Sequence, residues 1–348
     1  MKKELKKVIG LLLVIILTLS VVGCTSTISS DGDSTRQSES VERRKNDGVK
    51  RIGFAMAEIT GQAVQQEASS FEETAKELGF TDRIILSAEN SVETQISQIK
   101  DMITADCDVI CIYSADADGV VPAVLECNAE GIPVIAVDRG INGGEILTTI
   151  ASNNISDGRD AANYFGMKTS TEAEDSVKVL HIIGNLSSTA QKERAEGFRI
   201  GCEQWGQLTI VDEVATDANA DKIYNAVVDA FKVNPDIKAI FVPYDQLLSP
   251  VVSALKEIGK FYQQGDPNHV MLGSVDGATD QLEWLSQGIN DISISLDFSG
   301  FGGEAVKAAD SFIKGENVQE SISTKSIICT ADNINYLAKK GVLWGLTK

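Results

Sequence analysis

The sequence predicts an α/β protein made of two lobes, each built on a doubly wound parallel sheet. Three observations carry that prediction. The chain is 348 residues long, longer than one ordinary domain, so two hydrophobic cores are expected. From Val49 onward short β-rich runs alternate with helical patterns, the rhythm of parallel strands joined by crossover helices. That rhythm divides near Ser152-Asn153-Asn154, where a strand ends and a second β/α series begins with its own set.

The elements follow in chain order. Lys2, Lys3, Lys6 and Lys7 form a basic start, and Val8 to Leu19 is an apolar stretch too short to span a bilayer comfortably, so the N-terminus reads as an export signal. Val21-Val22-Gly23-Cys24 resembles the lipobox of bacterial lipoproteins, in which the cysteine thiol is diacylated and becomes the new N-terminus. Residues 1–23 are thus expected as a signal peptide and Cys24 as a lipidation site anchoring the protein outside the cytoplasm; an anchor helix or a signal with an incidental cysteine fits the neighbours less well. Loss of 1–23 removes four Lys and one Glu, which moves the formal charge from −19 to −22. Residues 24–48 hold almost no apolar side chains and read as a flexible tether.

Strands are expected at Arg51 to Met56, Ile84 to Ser87, Asp108 to Tyr113, Pro133 to Asp138 and Leu147 to Ala151. The second series is Val177 to Gly184, Ala239 to Tyr244, Val270 to Asp276 and Ile292 to Leu296. Between them, Val92, Ile96, Ile99 and Ile103 recur at helical spacing, as do Ile223, Val227 and Phe231. Ligands in such sheets sit beyond the carboxyl ends of the strands, so the residues that close each run are candidates: Tyr113, Asp138-Arg139, Asn153, Asn185, Tyr244-Asp245, Asp276 and Asp297. Capping the next helix or making a turn is the competing role for each.

Composition removes whole classes of function. With 50 acidic against 31 basic residues, no surface rich enough in Lys and Arg to follow a phosphate backbone is expected, which argues against nucleic acid. Beyond Cys24 the cysteines are Cys107, Cys111, Cys127, Cys202 and Cys329, an odd number without Cys-x-x-Cys or zinc spacing, and His181 and His269 are far apart; no metal site is indicated. The thiols are read as small buried hydrophobes. No phosphate loop, dinucleotide fingerprint or Gly-x-Ser-x-Gly elbow occurs, so no cofactor is expected, and Gly300-Phe301-Gly302-Gly303 is read as easing the start of a helix. A paired-carboxylate glycosidase using Asp138 and Asp276 stays open at this point, because only their spatial separation decides it.

Four segments then carry a resemblance. Pro133-Val-Ile-Ala-Val-Asp-Arg139, Ile150-Ala-Ser-Asn-Asn154, Glu193-Arg-Ala-Glu-Gly-Phe198 and Gly273-Ser-Val-Asp-Gly277 together resemble the type I periplasmic sugar-binding proteins, the ribose-binding group in particular, from about Val49 to about Thr330. The resemblance implies a monomeric two-lobed receptor for an ABC permease and its ATPase, closing over a monosaccharide or polyol. It also implies three chain crossings, near Ser152, Leu296 and Ser326, with one lobe from 49–152 plus 298–325 and the other from 153–297 plus 326–348. Cytoplasmic repressors sharing this core carry a helix-turn-helix in front, which is missing here.

Residue by residue, the resemblance places Asp138 and Arg139 as the pair gripping sugar hydroxyls, Arg194 as an arginine of the second lobe, and Asp276 as the aspartate closing the site. Carboxylates and guanidinium forks suit a ligand whose hydroxyls both donate and accept. Where the ribose-binding group has an Asn followed by two ring-stacking Phe, this chain reads Gly61-Gln62-Ala63-Val64, so ribose itself is not implied. Gln62 then stands in for the Asn, Tyr113 or Tyr244 for the missing rings, and Asp297 for a further acceptor or a hinge turn. A hexose, pentose, sugar alcohol or sugar-like signal such as autoinducer-2 all fit. A sensory subunit serving a membrane kinase or chemoreceptor is the alternative to import.

Overall fold

The computed structural model describes residues 49–170 and 176–346; the expected signal peptide, Cys24 and the tether lie outside the described residues. The first series runs β1 Arg51–Met56, α1 Gln62–Glu77, β2 Asp82–Ser87, α2 Val92–Thr104, β3 Val109–Tyr113, α3 Val121–Ala129, β4 Val134–Val137 and β5 Thr148–Ala151. The second runs α4 Asn154–Thr169, β6 Val177–Ile183, α5 Thr189–Trp205, β7 Leu208–Ala215, α6 Ala220–Val233, β8 Ala239–Phe241, α7 Leu248–Glu257, β9 Met271–Asp276, α8 Thr279–Ser286 and β10 Ile292–Leu296. The chain ends through α9 Phe298–Ile313, β11 Ser321–Ser323, β12 Ser326–Thr330 and α10 Ile334–Lys340.

Two six-stranded sheets result, in the orders β2-β1-β3-β4-β5-β11 and β7-β6-β8-β9-β10-β12. Both put the strand-order reversal beside their first strand, so each has a crevice at its carboxyl edge between β1 and β3 or between β6 and β8. Central strands are buried because helices cover both faces: every residue of β3, β4 and β10 is buried, β3 and β4 as near-continuous apolar runs and β10 with Ser293 and Ser295 between apolar residues. The chain passes from the first sheet to the second after β5, returns after β10 because α9 packs on α1, β4 and β5, and passes again between β11 and β12. Side-chain caps start the helices at Ser91, Asn153, Ser188, Asn219 and Asp297, each accepting a backbone N–H three residues on.

Three strands are absent from the sequence reading, and all are edge strands. β7 opens with the β-prone Leu208 to Val211 but is half exposed and breaks its alternation at Asp212-Glu213, and β11 is three residues with two exposed serines. β12 pairs antiparallel with β10, the one departure from the parallel pattern. The expected strand to Tyr244 stops at Phe241, since Pro243 has no N–H to give the ladder.

Two helix pairs approach closely enough to require glycine. A Cβ on Gly158 of α4 would collide with the Arg194 carbonyl, and one on Gly197 of α5 with the Ile155 carbonyl, so the two helices meet backbone to backbone. Gly302 of α9 likewise lies against the Glu67 carbonyl of α1. These crossings fix where Arg194 and Glu67 stand.

Candidate functional site

Two aspartates close central strands of opposite sheets. After β4, the Asp138 N–H donates to the Ile150 carbonyl and the Arg139 N–H folds back onto the Val137 carbonyl, both at 2.7 Å. This tight three-residue turn holds Asp138 at φ 62°. Asp276, at the end of β9, sits at φ 113° and is followed by Gly277 at φ 80°, where any Cβ would collide with Ser295. Seven described non-glycine residues have positive φ, and only these two are buried. The other five lie in surface turns where such conformations cost little to accommodate; backbone strain inside a packed interior persists only where surrounding structure imposes it.

Each aspartate faces an arginine. Arg139 lays its guanidinium 4.4 Å above the Tyr113 ring, donates to the Tyr113 hydroxyl at 2.6 Å and to the Ser114 carbonyl at 3.1 Å, and stands 3.9 Å from Asp138. Arg194, only 4 % exposed, donates to Asn154 Oδ1 at 3.0 Å, the Pro243 carbonyl at 2.8 Å and Asp276 Oδ1 at 3.2 Å. Asn154 is held in turn by donating to Glu193 Oε2 at 3.0 Å. Burial pushes the Asp138 and Asp276 carboxyls above the ordinary carboxylate range, and the neighbouring arginines offset this only in part. Asp138 and Asp276 feel one another's charge, as do Asp138 and Arg194 and the Arg139–Tyr244 pair, so the two sheets contribute to one electrostatic group.

The remaining expected residues divide. Tyr244 is half buried within this group, its hydroxyl pushed up to about 12 by burial with Asp276 adding to it. Tyr113 belongs to the group, with the Arg139 guanidinium over one ring face and the residue 3 % exposed. Asp297 is exposed and accepts the Gly300 N–H at 2.9 Å, so it caps α9 and does not join the buried cluster. Gln62, the first residue of α1, is exposed at the rim and accepts from the Thr279 hydroxyl at 3.1 Å.

That Gln62–Thr279 contact is one of three direct links across the rim. The Gly140 N–H donates to Thr189 Oγ1 at 2.7 Å and the Ala117 N–H to the Ser187 carbonyl at 3.1 Å, each joining a loop of the first sheet to the start of α5. The space between the carboxyl edges is thereby shut.

Sequence reasoning missed two members of this neighbourhood, Glu67 and Trp344, and named a third, Asp245, only as a strand-end candidate. Glu67 of α1 is fully buried, with neither carboxyl oxygen hydrogen-bonded; burial pushes its carboxyl well above the ordinary range, and the charges of Asp138, Arg139 and Glu58 act on it. Asp245 accepts from Ser274, from Ser293 at 3.2 Å and from the Ala278 N–H at 2.6 Å; burial raises its carboxyl to about 6. Trp344 donates its indole N–H to the Asp276 carbonyl at 2.9 Å. Of the two missed residues only Glu67 had a sequence signal, an acid in phase with Val64 and Phe71 on the apolar stripe of α1.

Elsewhere, Cys107, Cys111, Cys127, Cys202 and Cys329 are buried and unbridged, and burial pushes all five thiols up, Cys107, Cys127, Cys202 and Cys329 to about 12. His181 lies in the core of the second sheet, its Nδ1 2.9 Å from Glu213, and His269 pairs with Asp291 at 2.9 Å. Among the described residues no cluster of His, Cys, Asp and Glu could hold a metal ion, and no helix is long and apolar enough to cross a membrane.

Two sheets of one topology, joined by three passages and shutting on a shared polar group, define a two-lobed binding fold. The sequence profile described as "Periplasmic binding protein domain" matches residues 52–317, and the chain belongs to that family, in its type I form. It is 27 % identical to the ribose import binding protein RbsB of Bacillus subtilis (strain 168), over 80 % of this chain and 87 % of the relative. Its identity to RbsB of Escherichia coli (strain K12) is also 27 %, over 71 % of this chain and 79 % of the relative. An ABC transporter solute binding protein from Bacillus halodurans C-125, solved with bound myo-inositol, superposes with a TM-score of 0.75 at 21 % identity, covering 85 % of this chain and all of that one (100 %).

Proposed function

We propose that this protein is the extracytoplasmic substrate-binding component of an ABC importer, tethered to the membrane through lipidated Cys24, and that it captures a monosaccharide or similar polyol between its lobes. The observation that carries the reading is the pair Asp138 and Asp276, buried at strained strand ends of opposite sheets and sharing one closed space with Arg139 and Arg194. Carboxylates that accept and guanidinium groups that donate replace the water a polyol gives up on entry. No bond need break. The relatives named above, import and solute-binding proteins for ribose and myo-inositol, support the class of ligand. The three passages between sheets serve as the hinge, with lobes of 49–152 plus 298–325 and 153–297 plus 326–348. Because contacts from both lobes coexist only when the rim is shut, ligand shifts the population toward closure by its differential affinity, and the permease reads the closed surface.

A thermal-shift panel of free monosaccharides and polyols on residues 49–348 tests this. At least one is expected to raise the melting temperature, and Asp138→Ala and Asp276→Ala each to abolish that rise. Unchanged shifts in both variants, or turnover of a glycoside in place of binding, would reject the reading.

A further inference from the structure

The closed space holds more acid than its arginines can balance. Arg194 is committed to Asp276, Asn154 and the Pro243 carbonyl, and Arg139 to the Tyr113 hydroxyl and the Ser114 carbonyl. Asp138 has one ion-pair partner, the Arg139 guanidinium at 3.9 Å, and feels the Arg194 charge more weakly. Glu67 has nothing: it is 0 % exposed, both oxygens lack a donor, and its charged surroundings are Asp138 and Arg139 with Glu58 beyond. Glu58 itself is occupied, accepting from the Thr60 and Gly61 N–H groups. An ionised Glu67 thus leaves one negative charge unmatched in a water-poor site, where burying an unpaired carboxylate is costly.

Protonation removes that charge but gives the new O–H no acceptor and the other oxygen no donor. A neutral polyol brings donors but no countercharge. An ammonium group brings both, three donors and one positive charge. Building on the sugar-binding reading above, we propose that the preferred ligand is a cationic amino-substituted sugar or polyol, its ammonium held by Glu67 and Asp138. Glu67 is then the residue that sets specificity, while Asp276 and the two arginines hold hydroxyls.

The test is calorimetric titration of the purified protein with matched pairs: D-glucosamine and D-glucose, D-galactosamine and D-galactose, and D-glucamine and D-sorbitol. At least one amine should bind about tenfold or more tightly than its hydroxyl parent, the scale expected for a buried charge pair. Glu67→Gln should collapse that ratio toward one. Glu67→Leu, which needs no polar partner, repeats the measurement if the glutamine variant does not fold. A parent sugar bound more tightly than its amine, or a ratio that survives both substitutions, overturns the assignment of Glu67 and leaves the sugar-binding reading standing. Binding of neither member of any pair, nor of any sugar in the thermal panel, overturns both.

Discussion

Asp138 and Asp276 show what a single position can be made to do. Both follow a buried apolar strand directly, and so does Asp297, which only caps a helix. All three strands are interior, and what separates the residues is backbone conformation: Asp138 and Asp276 have positive φ, whereas Asp297 has φ −95° and caps α9. Strand-end carboxylates were therefore legible from pattern alone only as candidates; it was the resemblance that set Asp138 and Asp276 ahead of Asp297. Glu67 was legible in principle by its helical phase, yet an acid in such a stripe usually extends to solvent, and only packing of α9 over α1 shows that it does not. Residue-scale electrostatics also act away from the cleft. On β7, Glu213 accepts from His181 and from two nitrogens of Arg199, which together lower its carboxyl from 4.5 to about 2, His181 contributing most. A depressed carboxylate adds stability that is complete above 4.5 and is lost as pH falls through about 2. Glu213 is partly exposed, so screening limits the contribution to about 1 kcal/mol. Glu213→Gln is accordingly expected to lower the melting temperature near neutral pH and to make its decline between pH 4.5 and 2 shallower than in the wild type.

At the scale of elements, central strands were easy to find because burial on both faces demands a continuous apolar run, as in β3. Edge strands carry no such demand. The short, serine-rich β11 is a strand by virtue of its neighbour and looks like a loop in sequence, while β7 shows only a β-prone start, Leu208 to Val211, before acidic residues break its pattern. Helix contacts were equally hidden, since glycines at Gly158 and Gly197 read as neutral or unfavourable until the partner helix is in place. Their purpose is mechanical: the close α4–α5 crossing fixes the height of Arg194 relative to Asn154 and Asp276. Gly197→Ala should force the helices apart, costing about 1–3 kcal/mol of stability. Ligand affinity should fall as well, although residue 197 touches no part of the polar cluster. Denaturant unfolding and calorimetry on the same variant would show both losses; a stable protein with intact binding would contradict the crossing's role.

For the molecule as a whole, closure is the property that matters, and the rim links give it a handle. Thr189 Oγ1 accepts the Gly140 N–H at the mouth, so Thr189→Ala removes a bond that exists only when the lobes meet. One such bond is worth about 1 kcal/mol, or roughly fivefold in a population. The variant is expected to bind ligand several-fold more weakly, chiefly through faster dissociation, and to show a larger radius of gyration in solution scattering. The two-lobed plan itself was legible because the β/α rhythm restarts after Ser152, but the identity of the rim contacts was not, as they join loops more than forty residues apart.

Near its carboxyl end the polypeptide returns to the place where its chemistry is concentrated. Trp344 hydrogen-bonds the backbone of Asp276 and sets its ring edge-on to Phe298 at 5.2 Å, while Gly345 nestles against Gly277 so tightly that no side chain fits between them. The final turn is a wedge under the aspartate and against the first residue of the returning helix. Affinity handles, fluorophores or fusion partners joined close behind residue 346 would press on that wedge, so a biosensor made from this scaffold should carry its labels on the far poles of the lobes.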